Sequence, residues 1–205
     1  PETATIGESA FNPNRLSALN TNILTGLLII PSSVTTIEDY AFCLNRLTRV
    51  IIPPSVTSIG KDAFFDNELT SITIPPSVTV IGAGAFAINK LTSISIPPSV
   101  ATIEERAFFD NELTRVIIPP SVTTIERGAF SDNELTNISI PYSVTTIGWY
   151  AFAENKLTSV TFESPSSLTK IENKAFINNE LTSVTIPSSV ATIGNEAFDD
   201  KVDII

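Results

Sequence analysis

The chain has 205 residues, with 12 basic and 22 acidic side chains, no histidine, no methionine and one cysteine, Cys43. A net charge of −10 repels nucleic-acid phosphates and anionic membrane surfaces at long range, so no nucleic-acid partner is expected and the partners indicated are neutral or basic. No apolar run approaches the roughly 20 residues that span a bilayer, so no direct membrane insertion is expected in this segment, and a lone Cys43 forms no internal disulfide.

Ala-Phe pairs recur along the chain with phenylalanines at 11, 42, 64, 86, 108, 130, 152, 176 and 198. Their spacing is 31, then 22 five times, then 24 and 22, and a fixed period of this length is the signature of a solenoid. Residues 1–30 are a degenerate first repeat or cap, with nine extra residues near 20–28 expected to bulge outward. The start at Pro1 fits either a removed leader or a segment of a longer protein.

Residues 31–198 carry the regular units. In the third, Ile72 and Ile74 alternate with Ser71 and Thr73, the period of a strand with one buried face. Pro75 and Pro76 end that strand because proline cannot donate to a continuing ladder. Ser-Val-Thr-Val-Ile then runs back in extended form to Gly82, and residues 82–87 suit a short helical or 3₁₀ turn whose Phe86 plugs the coil. Two further extra residues, near 164–167, are expected to loop out without breaking the stack. The closing residues 199–205 lack a Leu-Thr strand signal and read as an end or partial cap. The fold class expected is a leucine-rich-repeat solenoid, a curved right-handed coil stack. It has a parallel β-sheet on one face, and extended segments with short helical or 3₁₀ turns on the other.

The recurring Leu-Thr-x-Val/Ile-x-Ile-Pro-x-Ser-Val-Thr-x-Ile-Gly/Glu-x-x-Ala-Phe-x-x-Asn, over about residues 45–198, closely resembles the BspA-like leucine-rich repeats. Members of that class commonly carry cysteine where this chain has Asn45, Asn67, Asn89, Asn111, Asn133, Asn155 and Asn179, and commonly run to 23 residues. The resemblance implies a curved rod with a parallel sheet on one face. It also implies a bacterial surface or secreted protein, extracellular or cell-surface, of the kind that binds host or matrix proteins.

The residues themselves argue against catalysis. There is no histidine for a general base, metal ligand or triad, Cys43 lacks the imidazole that usually activates a thiol, and no glycine-rich phosphate loop occurs. No enzyme activity, cofactor or metal is therefore expected. Acidic pairs such as Asp110/Glu112 and Asp132/Glu134 line one edge of the stack and read as a solvated, weakly paired edge, the alternative being Ca²⁺ shared among those four if their oxygens converge.

The solvated face of the strands is the first candidate surface. Its positions are mostly Ser, Thr and Asn, against which Arg49/Ile51 and Arg115/Ile117 stand out as arginine-apolar contact pairs. A second candidate is the aromatic group Tyr142, Trp149 and Tyr150, which would serve a protein partner or stack a sugar, unless Trp149 and Tyr150 simply cover the nearby insertion. Phe65 and Phe109 read as extra core, and the threonines from Thr48 to Thr182 as a ladder bonded along the stack. A non-catalytic protein-binding or adhesion domain follows, with a structural spacer or assembly module as the alternative and carbohydrate binding behind both.

Overall fold

The computed structural model describes residues 4–12 and 23–205. Each 22-residue unit is one turn of a parallel β-solenoid of about eight turns. In the third unit the first leg buries Leu69 and Ile74, and Pro75 then accepts from the amide of Val78 at 3.0 Å to turn the corner. The second leg buries Val78 and Ile81 before the chain turns again at Gly82. Every leg thus sends its alternate apolar side chains to one shared interior, which a single coil could not cover alone.

Successive coils pair in parallel and in register on both legs. The second legs build a four-stranded sheet from Ala4–Ile6, Val34–Ile37, Ser58–Ile59 and Val80–Ile81. A five-stranded sheet follows from Thr102–Ile103, Thr124–Ile125, Thr146–Ile147, Lys170–Ile171 and Thr192–Ile193. The first legs pair two by two, Thr25–Ile29 with Arg46–Ile51, Ser93–Ser95 with Arg115–Ile117, and Asn137–Ile140 with Ser159–Phe162. The second legs are reinforced by side chains: the hydroxyls of Thr57, Thr79, Thr123 and Thr145 each donate to a carbonyl of the preceding coil at 3.0–3.3 Å. On the first legs the expected threonine bonds occur from Thr114 to Thr92 and from Thr158 to Thr136.

Among the described residues there is no helix, which corrects the expected helical or 3₁₀ turn. The reason lies in alternating backbone signs. Ala85 donates to Gly82 and Ala87 to Gly84, two separate turns, but Gly84 between them has φ +63°. A left-handed residue there breaks the run of equal dihedrals a helix needs. The freed amides of Gly84, Phe86 and Ile88 donate instead to Glu105, Ala107 and Phe109 of the next coil, at 2.8–2.9 Å. Hydrogen bonds that a helix would spend within the coil here tie coil to coil.

Nine phenylalanines, from Phe11 to Phe198, form one continuous stack down the interior, with neighbouring rings 5.1–5.8 Å apart and tilted by no more than 14°. The two-residue insertion leaves that stack intact, since the Phe152 and Phe176 rings on either side of it are 5.3 Å apart. Phe65 and Phe109 are not extra core: both are half-buried on the turn face and neither belongs to the core cluster.

The N-terminal insertion departs from the sequence reading. Residues 25–28, expected inside the first insertion, lie in a strand paired with Arg46–Ile51, because Leu24 and Leu28 pack against the core and fix the register. The rest of that expectation, residues 20–22, lies outside the described residues. At the other end Asp203–Ile204 adds a parallel strand to Ser183–Val184 without any Leu-Thr signal, anchored by buried Val202.

Candidate protein-binding surfaces

The first legs present every second side chain to solvent, and three of those side chains are large and apolar at neighbouring positions. Leu27 and Ile29, 52% and 62% exposed, stand in register beside Arg49 and Ile51. Ile51 is itself 42% exposed. Sequence reading picked out Arg49 and Ile51 but missed Leu27 and Ile29, which the 31-residue spacing had hidden within the supposed insertion. Their alternation with Gly26 and Leu28 was the available signal.

Arg115 and Ile117 form a second such pair on the same face, Arg115 beside Ser93 and Ile117 beside Ser95. Three coil steps of about 4.8 Å separate it from the first pair, so the four residues make two clusters rather than one. Between them exposed Ser71, Thr73, Ser93 and Ser95 leave a shallow trough, including a hollow of about 320 Å³ beside Arg49 and Ile51.

The aromatic group is divided. Tyr142 lies in the corner after the first leg, where its carbonyl accepts from Ser167 of the insertion at 2.8 Å. Trp149 and Tyr150 lie in the turn after the second leg, so an extended segment, residues 144–147, comes between. At about 3.3 Å per residue, that places Tyr142 on the order of 13 Å away. Tyr142 and Trp149 are both exposed, whereas Tyr150 is half-buried, has φ +57° and carries the Lys174 ammonium 5.8 Å from its ring centroid. The insertion is tied to the Tyr142 backbone by the Ser167 bond. It walls a groove of about 540 Å³ with Thr161 and Pro187.

The acidic edge pairs with lysines along the axis, Glu68 with Lys90 at 3.5 Å and Glu134 with Lys156. Among the described residues no three acidic or cysteine side chains converge in a way that would hold a metal. Asp110 and Asp132 do meet between coils, and burial together with that like charge pushes the Asp110 carboxyl above the usual range. The buried Cys43 thiol is likewise pushed up, by burial first and by Asp62 second.

With this geometry in place, the model of the BspA-type leucine-rich-repeat region matches residues 4–135 and 124–204, in six copies. The chain belongs to the BspA-type leucine-rich-repeat family. This family is a repeat family, usually non-catalytic. The chain is similar to a leucine-rich repeat protein of Bacteroides ovatus at 27% identity and a TM-score of 0.76, over 98% of this chain and 54% of the other. A leucine-rich cell surface protein of Faecalibacterium prausnitzii matches at 26% identity and 0.60, over 99% of this chain and 72% of the other. The pneumococcal vaccine antigen PcpA, at 18% identity and 0.61 over 89% of this chain and 60% of its own, shares the fold. No curated protein matches. The chain spans about half the length of the Bacteroides ovatus protein.

Proposed function

We propose that this BspA-type domain is a non-catalytic binding module of a bacterial surface or secreted protein, and that it engages a protein ligand, of host or matrix origin, through its strand face. One observation carries the reading: Leu27, Ile29 and Ile51 lie exposed side by side next to Arg49 on a sheet face whose intervening positions are Ser and Thr. Clustered exposed apolar groups beside an arginine are the composition of an interface centre rather than of inert surface. Arg115 and Ile117 supply a second contact at the far wall of the trough. The surface location draws support from the likeness to the Faecalibacterium prausnitzii cell surface protein.

The test is binding of the purified chain to a panel of immobilised extracellular-matrix and serum proteins. A specific partner should be retained by the natural chain. Retention should fall at least tenfold in Ile29→Ser/Ile51→Ser and in Arg49→Ser/Arg115→Ser, as expected for loss of interface hot spots of about 1.4 kcal/mol or more. Retention unchanged in both double variants would remove the strand face as the site. No retention at all would favour the second reading, a spacer or assembly module, which the Ser- and Thr-covered remainder of the face also suits.

A further inference from the structure

The turn face, on the other side of the coil from the trough, carries a slot built by one stripped coil between two furnished ones. After the core phenylalanine, three successive coils carry Phe65, Ala87 and Phe109, and two positions before it they carry Asp62, Gly84 and Arg106. At these two positions the middle coil therefore contributes only the Ala87 methyl, its one large side chain at the slot being the half-buried Ile88. The result is a cavity of about 480 Å³ with Phe65 and Phe109 as walls and Ala83, Gly84 and Ala87 as floor. The core rings beneath are 5.5 and 5.8 Å apart, so the walls stand two such steps from each other with one empty coil width between them.

The charge left facing this slot is negative. Asp62 is half-buried with its carboxylate over Gly84, where a Cβ would collide with Asp62 Oδ1. The two cations at the rim are already seated on rings: Lys61 lies 5.7 Å from the centroid of Tyr40 and Arg106 lies 5.5 Å from that of Phe109. Neither makes an ion pair with Asp62, and burial pushes the Asp62 carboxyl up, against the opposing pull of Lys61. A carboxylate held beside aromatic faces and an apolar floor is complementary to one kind of group, a cation on an alkyl stem.

We propose that this slot is a docking site for a basic side chain, an arginine, projecting from a protein partner. Its stem lies over Ala87 between Phe65 and Phe109 and its guanidinium meets Asp62. Arginine suits the walls better than lysine because its planar head stacks on aromatic rings and is more weakly hydrated. The Arg106 guanidinium over Phe109 shows that chemistry within the chain itself. A net charge of −10 draws basic partners toward the surface at long range. The site is independent of the strand face and does not rest on it.

The test uses the whole 205-residue chain and the capped amino acid Nα-acetyl-arginine amide, followed by NMR of the Ala83, Ala87 and Ile88 methyl groups. The expected result is a saturable shift confined to those methyls, at least fivefold weaker with the neutral isostere Nα-acetyl-citrulline amide. Asp62→Asn should reduce arginine binding to the citrulline level. Ala87→Phe should abolish it by filling the slot with a side chain the repeat already carries at 65 and 109, and Ala87→Leu serves the same purpose with a smaller group. Equal response to both probes overturns the proposal, as does unchanged binding in Asp62→Asn or in a folded Ala87 variant. Ile29→Ser/Ile51→Ser should leave these shifts unaltered, which keeps failure of the strand-face reading distinct from failure of this one.

Discussion

An asparagine amide has two donors and two acceptor lone pairs, and in the middle of this molecule nearly all of that capacity is used on backbone. Asn111 is buried; its Nδ2 donates to the carbonyls of Phe86, Phe108 and Phe109 at 3.0–3.3 Å, and its Oδ1 accepts from the amide of Leu91 at 3.0 Å. Two of those partners, Phe86 and Leu91, belong to the preceding coil, so the side chain is a rivet between coils. Asn111→Asp keeps the shape but turns the donor edge into an oxygen facing three carbonyls. It should therefore destabilise more than Asn111→Ala, which leaves buried groups unpaired at about 1–3 kcal/mol each. Denaturant unfolding at neutral pH checks the order; an Asp variant as stable as the natural chain would remove the rivet. The asparagine period was plain in the sequence, but its burial was not. Set in Asp-Asn-Glu runs, the residue reads as part of a solvated edge, and only the coil geometry turns it inward while its neighbours face water.

At the scale of a coil, the phenylalanine stack makes position matter as much as residue type. Phe108 is fully buried with a ring on each side, Phe86 at 5.8 Å and Phe130 at 5.5 Å, whereas Phe198 has only Phe176. Phe108→Ala should cost about 3–5 kcal/mol, and Phe198→Ala clearly less, since the end of a repeat array loses only one neighbour interface. Urea unfolding of the two variants compares them directly, and equal losses would contradict a stack whose strength resides in its interfaces. The ring ladder was legible because a spacing of 22 admits little else. The turn was not, because Ala and Gly followed by Phe is equally compatible with a helical turn and with two turns joined by a left-handed residue. The discriminating fact is positive φ two positions before the core phenylalanine, which Gly84 and Gly128 suit but Arg106, Tyr150, Lys174 and Glu196 give no warning of. The candidate strand face was half legible for a related reason: Arg49 and Ile51 stood out inside the period, while Leu27 and Ile29 lay where the period fails.

For the whole molecule, acid excess and stacking act together, since each coil sets its carboxylates about one strand spacing from those of the next. Burial raises the carboxyls of Asp62, Glu104 and Asp110, and neighbouring acids, Asp39, Glu126 and Asp132 respectively, raise them further. A carboxyl that resists ionisation in the fold has a folded pKa above its unfolded one. Its contribution is then fully present below the unfolded value and is lost as pH rises through the folded value. At neutral pH these groups are ionised at the fold's expense. Acidification toward the carboxylate range should therefore raise the stability of this chain, while the exposed lysine pairs Glu68/Lys90 and Glu196/Lys174 contribute little to offset it. Tm should climb as pH falls from neutrality toward the carboxylate range, opposite to the usual onset of acid denaturation. Glu104→Gln with Asp110→Asn should raise Tm at pH 7 and should flatten the climb. A Tm that falls steadily from pH 7 would mean that charge repulsion between coils is too well screened by solvent to matter. In that case the acidic edge would act only on partners, through the long-range field that draws basic ones in.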